Sequence, residues 1–397
     1  MRVLIVSEYY LPQPLANAEV VGGLAGALAG RGHDVEVLTT ARAPKRLDGV
    51  RVRGRLGYFP ADRASVLKRL AEYLSFSVGA LALGTAVRRP DVVMALSPPP
   101  TLGLIGLSIA RIRRRPLVYV VQDLYPEVAI ASGVLRPGPA LSLLGRLMRV
   151  VYAKSAAVVV IDSSMVDAIV TATATALVRP IPNGIDQRPF LTARRDDQWL
   201  RSLGVDPTKP VVMYAGNIGR SQDLEGVALA AKANDVQLVI HGGGAALAAL
   251  RTEVARRGWL HVHFSDFVER ERLGVVFASA DLHVLPLKPE VAAASVPSKL
   301  LSIFSAGRPV LVAAEPESAA ARIVEETGAG WVIPAGDTHA LTQAMGVALA
   351  DRAELERRAD LGHIWALREA GSDRCAADYE ALLSEITTSR ESKFPGH

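Results

Sequence analysis

Cysteine is all but missing from the 397-residue chain, where Cys375 stands alone. A disulfide framework and a cysteine-built metal site are thereby excluded, and the chain suits a reducing compartment. The eight histidines show no HExxH spacing. His261 and His263 alternate on one strand with no third ligand nearby; a surface metal site there is the alternative to the metal-free expectation. GxSxG and GxxxxGK[ST] are both absent, which removes the commonest hydrolase and NTPase signals. Membrane-spanning runs are wanting too. Tyr73–Val87 is uncharged but too short, and Val92–Ala110 is broken by Pro98-Pro99-Pro100. MRVLIVSEYY carries one Arg and no small-residue cleavage pattern, so it reads as a first strand and not as a signal peptide. Aromatics are scarce at 5% and rarely interleave the basic clusters.

Half the residues are hydrophobic and 21% are charged, the composition of a globular protein. The length exceeds what one core organises, so two domains are expected. The net charge of +5 hides an asymmetry: residues 1–185 hold 22 Lys and Arg against 12 Asp and Glu, and the remainder 23 against 28. In the basic half Arg88, Arg89, Arg111, Arg113, Arg146, Arg149 and Lys154 flank or stripe apolar helical segments. That pattern suits an anionic membrane surface or an acidic lipid-linked acceptor. Plain solvated arginines are the alternative; nucleic acid is a third reading, without a recognisable module to carry it.

Apolar strands alternate with helices throughout, which predicts parallel sheets covered on both faces. Residues 1–185 read as one Rossmann-like domain and 186–208, polar and Pro/Gly-punctuated, as a linker. A second such domain follows over 209–370, and 371–397 as a helix returning towards the first domain, then a tail. A cleft between two such domains is the expected site, since each sheet presents loops and helix N-termini at its carboxyl edge.

Six stretches carry candidate chemistry. In 281–313 a strand empties through Ser295-Val296-Pro297-Ser298-Lys299 into a helix that stops at Gly307. A helix N-terminus there gathers bare N–H groups for a phosphate, with Lys299 adding a full charge; a solvated lysine beside an ordinary cap is the other reading. Gly216-Asn217-Ile218-Gly219-Arg220 leaves a strand with two glycines and an arginine able to fork onto phosphate oxygens, though it is not GxGxxG. His241-Gly242-Gly243-Gly244 is a nucleotide pocket or a flexible turn. Asp266-Phe267 could read a base edge through its backbone. In the first half Asp123 and Glu127 lie at a strand end, where a carboxylate could orient or deprotonate an acceptor hydroxyl or merely cap a helix. Glu8 and Asn17, in the loop after the first strand, face the same cleft if the sheet is parallel; ordinary loop residues are the other reading.

Together GGLAGALAGRGHDVEVLTT, VVVIDSSM, IPNGID, VVMYAGNIG, VIHGGG and AAASVPSKLLSIFSAGRPVL resemble glycosyltransferase family 4, retaining enzymes of the GT-B fold. SPPP, QDLYPE, GNIGRSQDL and VPSK resemble its branch in bacterial capsule and O-antigen assembly, which moves N-acetylated amino sugars such as N-acetylfucosamine from UDP-sugars. The resemblance implies transfer with retention and no required metal or cofactor. Arg220 and Lys299 would stabilise the departing diphosphate, the second domain would hold the donor with Ser302 beside its last motif, and the first would hold a lipid-linked or saccharide acceptor. Two departures stand out. The family's paired glutamates are replaced by Ala294 and Ser302, and Gln122 stands where relatives often have His before Asp123.

Overall fold

The computed structural model describes residues 1–13, 15–54, 66–125, 138–173, 177–219, 221–289 and 298–393. Two compact units divide the chain. One comprises Met1–Gln13, Asn17–Gly184 and Ser372–His397, and the other chiefly Ile185–Gly371.

The first unit is built on eight strands: β1 (Arg2–Val6), β2 (Asp34–Leu38), β3 (Arg46–Leu47), β4 (Val50–Arg53), β5 (Val92–Leu96), β6 (Leu117–Val121), β7 (Ala157–Val160) and β8 (Val178–Pro180), in the order β3-β4-β2-β1-β5-β6-β7-β8. Strand β1 is central, with Val3 opposite Val35 on one side and Val92 on the other. Strands β5, β6 and β7 are buried along their whole length, which is why they read as unbroken Val/Leu runs. The antiparallel exception is β3, which folds back on β4 through Asp48-Gly49, both at positive φ, as an Asp-Gly hairpin turn demands. Strand β4 begins at Val50, and residues 55–65 lie outside the described set.

The terminal helix Ser372–Lys393 completes this unit. Cys375, Tyr379, Leu382, Leu383 and Ile386 enter the same core as Val3, Val159 and Ile181. Outside that core, Glu380 binds the Arg31 guanidinium at 2.6 Å and the His33 ring at 3.1 Å. Burial pushes the Cys375 thiol up to about 12, so it packs as a small apolar group and is no nucleophile.

The second unit has β9 (Val211–Ala215), β10 (Gln237–His241), β11 (Val262–Ser265), β12 (Leu282–Pro286), β13 (Val310–Ala313) and β14 (Gly330–Ile333), in the order β11-β10-β9-β12-β13-β14. All its pairings are parallel. This is the doubly wound order with its reversal between β9 and β12.

The expected linker is not one. Residues 188–191 and 197–202 are helical, Leu200 is wholly buried, and Phe190 meets Phe277 edge-on at 6.0 Å. Its polar residues misled because they satisfy one another: Arg195 holds Asp281 at 2.9 Å and Asp197 at 2.8 Å, while Asp186 takes Arg188 at 2.7 Å and Arg270 at 2.9 Å. Among the described residues, no helix is long and apolar enough to cross a membrane.

Candidate functional site

Strands β9 and β12 pair side by side where the order of the second sheet reverses. Loops diverge at such a point and leave a crevice at the carboxyl edge. The helix Ser298–Ser305 follows β12 and is held down by Leu300, Ile303 and Phe304, all buried. It ends as expected at Gly307, whose φ of 62° lets its N–H reach the Phe304 carbonyl and that of Arg308 the Ile303 carbonyl, closing the last turn.

Lys299, in the first turn, is not a solvated helix lysine. Its ammonium donates to the Tyr214 hydroxyl at 2.8 Å and stands 4.5 Å over that ring's centroid. Burial pulls the amine down to about 8. Tyr214 is wholly buried in β9, and its own hydroxyl donates to the Asn217 carbonyl at 2.5 Å. The space for the lysine exists because residue 216 is glycine, with φ of 135°: a Cβ there would overlap the Lys299 side chain.

Three strand ends nest on one another beside it. The Gly216 N–H donates to the His241 carbonyl at 2.9 Å, the Gly242 N–H to the Ser265 carbonyl at 2.8 Å, and the Ile218 N–H to the Gly243 carbonyl at 2.9 Å. Gly242, at φ 126°, lies so close that a side chain would strike the Gly216 carbonyl. The Gly219 N–H donates to the Gln222 side chain at 2.9 Å. His241 is buried with Nδ1 3.1 Å from the Ser265 hydroxyl, and its ring stands edge-on to Phe267. Burial pushes this imidazole down to about 4, so it is neutral at pH 7. Phe267 is 42% exposed. Asp266 is exposed and faces Arg251 at 3.5 Å, a pair too open to contribute much. Ser302 sits half-buried one turn beyond Lys299.

At the carboxyl edge of the first sheet β1, β5 and β6 run out into Ser7-Glu8, Ser97 and Gln122-Asp123. Glu8 is buried, and its carbonyl accepts the hydroxyls of Thr39 at 2.9 Å and Thr40 at 2.7 Å. Ser97 Oγ accepts the Gln122 N–H at 3.0 Å. Burial raises the Asp123 carboxyl above its ordinary value. Burial also raises the Tyr125 phenol, helped by the nearby charges of Asp123, Tyr73 and Glu8, so these groups share one region. Gln122 and Asn183 exchange amide hydrogen bonds at 3.0 and 2.7 Å. That carboxamide is occupied, and a proton relay through position 122 is not available. Asn17 belongs to the helix Ala16–Gly30 and not to the preceding loop, because helix formation starts four residues before the apolar periodicity does.

Glu127, Arg220, Ser295, Val296 and Pro297 lie outside the described residues, as does the side chain of Ser298. Of the remaining expected site residues, Gly216, Asn217, Gly219, His241, Gly242, Gly243, Lys299 and Ser302 gather at the second sheet's edge, and Glu8 and Asp123 at the first. Sequence reasoning missed Tyr214, whose strand position marks it as core, and Tyr125 beside Asp123. Among the described residues no group of three or more His, Cys, Asp or Glu could hold a metal ion. His263 instead contacts the Gln237 side chain and Leu203 carbonyl, and His261 the Ala228 carbonyl.

Comparison with known proteins fits this geometry. Residues 18–184 match the glycosyl transferase 4-like domain and residues 209–351 the glycosyl transferases group 1 domain. A protein of Escherichia coli named for colanic acid biosynthesis glycosyl transfer, WcaI, is 26% identical over 79% of this chain and 84% of its own. The GDP-mannose-dependent alpha-mannosyltransferase of Mycolicibacterium smegmatis is 26% identical over 96% of this chain and 98% of its own. Among solved structures, Anabaena HepE in complex with UDP and glucose superposes with a TM-score of 0.74 at 16% identity, over 97% of this chain and all of that one. The chain is a glycosyltransferase of the GT-B fold, a glycosyl transferase 4-like domain followed by a glycosyl transferases group 1 domain.

Proposed function

We propose that the protein moves a sugar, an N-acetylated amino sugar, from a UDP-sugar to a lipid-linked or saccharide acceptor during assembly of a cell-surface polysaccharide, with retention at the anomeric carbon. The observation that carries this reading is the Lys299 slot at the reversal point of the second sheet: a cation drawn out of water, beside glycine turns and a helix N-terminus. Such a site attracts a diphosphate. The UDP held by HepE and the polysaccharide named for WcaI support the choice of donor and pathway.

In the reaction the bond from the anomeric carbon to the diphosphate oxygen breaks as the acceptor oxygen bonds to the same carbon. Negative charge grows on the departing UDP, and Lys299, Arg220 and the amides of residues 295–298 offset it, the dominant catalytic contribution and one that asks for no metal. Gly216, Asn217, Gly219, His241, Gly242, Gly243, Asp266, Phe267 and Ser302 shape the donor site. In the first unit Asp123 orients the acceptor hydroxyl and receives its proton, and Glu8, Asn17 and Glu127 are assigned to acceptor binding.

The basic half rests on an anionic membrane, placing the enzyme at the cytoplasmic face. On the helix Pro139–Lys154, Leu143 and Val150 are 56% and 46% exposed beside the exposed Arg146, Arg149 and Lys154, a face suited to acidic headgroups. Vesicles of phosphatidylglycerol should sediment the protein and neutral vesicles should not.

The deciding experiment incubates the enzyme with a panel of radiolabelled UDP-sugars, with and without lipid-linked acceptors, and analyses the products. Acceptor-dependent transfer supports the reading. Epimerised UDP-sugar formed without acceptor, or binding without turnover across the whole panel, would overturn it.

A further inference from the structure

We infer that Tyr214 is a positioning residue for Lys299: its hydroxyl and ring aim the ammonium at the donor's diphosphate and hold it charged. This rests on the donor site proposed above and adds a residue that touches no substrate.

Tyr214 is the fourth of the five residues of β9 and lies in the buried cluster with Leu238, Ile240 and Leu282. What tyrosine adds is the hydroxyl, whose two hydrogen-bonding capacities are both assigned. It donates its one proton to the Asn217 carbonyl and accepts from the Lys299 ammonium. The first bond is to main chain, so the oxygen cannot swing, and its lone pair is aimed at the lysine. The ring face beneath the nitrogen supplies a second attraction that also needs the positive charge. Gly216 leaves the lysine stem a passage along the strand end.

The arrangement solves a particular difficulty. An ammonium taken out of water tends to lose its proton, and burial is the only cause lowering this amine. Tyr214 faces it from β9, and His241, neutral, occupies the end of the neighbouring strand. Among the described residues no carboxylate pairs with Lys299. A carboxylate partner would hold the charge but compete with the diphosphate. A phenol and an aromatic face hold it without adding an anion, so the cation stays available to the leaving group.

The test is calorimetric titration of the full-length protein with UDP between pH 7 and 9, in wild type, Tyr214→Phe, Lys299→Met and the double variant. Tyr214→Phe keeps ring and burial and removes the hydroxyl, both the acceptor for Lys299 and the donor to the Asn217 carbonyl. It should weaken UDP binding roughly tenfold at pH 7.5, the scale of a hydrogen bond to a charged group. It should also move the alkaline loss of binding to lower pH, because the charged amine has lost its acceptor. In the Lys299→Met background the same change should have no further effect. Unchanged UDP affinity and pH dependence in Tyr214→Phe, with Lys299→Met impaired, would overturn the positioning role and leave the donor site standing. Unaltered UDP binding in Lys299→Met would instead remove the donor-site reading itself. Should Tyr214→Phe fail to fold, 3-fluorotyrosine placed at position 214, whose oxygen is a weaker acceptor, stands in for it: UDP affinity and pH dependence equal to those of wild type would overturn the positioning role.

Discussion

The two sheets wind in the same sense around a central first strand, yet their carboxyl edges finish in opposite chemistry. Strands β9 and β10 turn at glycines with positive φ, and the charged group brought there is a desolvated lysine. Strands β1, β5 and β6 end in Ser7, Ser97 and Gln122, none a glycine, and the charged groups there are the carboxylates of Glu8 and Asp123. Bare backbone and a cation suit a ligand rich in negative oxygens. Side-chain acceptors suit a hydroxyl that must be oriented and relieved of a proton. The same architecture therefore ends in two kinds of edge, and which kind is made depends on what stands one or two residues past each strand.

The contrast can be broken at each edge in turn. Lys299→Ala should lower kcat/KM by roughly 10²- to 10³-fold, the scale of removing one group that stabilises developing charge, while thermal unfolding stays near that of wild type. Asp123→Asn should lower kcat by about a hundredfold and leave UDP binding untouched in calorimetry; a matching loss of UDP affinity would overturn the acceptor role proposed for Asp123. Gly242→Ala should cost about 1–3 kcal/mol by chemical denaturation, through backbone strain and the clash with the Gly216 carbonyl. The equivalent change at the other edge, Ser97→Ala, should cost about 1–2 kcal/mol, for the hydrogen bond from the Gln122 amide and the one shared with the Tyr119 hydroxyl.

Stability also depends on pH, and the buried histidines and Asp123 act in opposite directions. His241 and His283 are both pushed down to about 4 by burial. Each therefore resists protonation in the folded state, and its contribution is whole above about 6.5 and lost as pH falls towards 4. Asp123 is raised by burial, so the folded state holds its proton longer and stability declines as pH rises through the range above the free aspartate value. Thermal unfolding of Asp123→Asn should accordingly exceed wild type at pH 8 and match it at pH 3. A variant less stable than wild type at pH 8 would show that the carboxylate is held by partners stronger than its burial.

Much of this was legible in the chain itself. The unbroken Val/Leu runs of β5, β6 and β7 announced a sheet covered on both faces, and Gly307 announced its helix end correctly. Position 186–208 was misread because its polar residues look like a linker, whereas Arg195 and Asp281 sit 86 residues apart and meet only in the fold. Asp48-Gly49 marks a hairpin, but the two residues of β3 are too few to show as a strand. Tyr214 stayed hidden for another reason. Its period along β9 says core, and nothing local tells that its hydroxyl has a lysine from 85 residues downstream to serve.

What the amino-acid order determined alone is the succession of strands and helices, the glycines that let the main chain turn left-handed, and the shortage of acidic residues that leaves the first half with a net positive charge. These are properties of near neighbours, decided by sterics and by which residues water rejects. The tertiary structure decided which strand ends stand side by side, and with that the company each charge keeps. Whether Lys299 is a solvated lysine or a cation laid on a buried phenol depends on desolvation and on a partner distant in sequence, and both come into being only when the sheet closes around them.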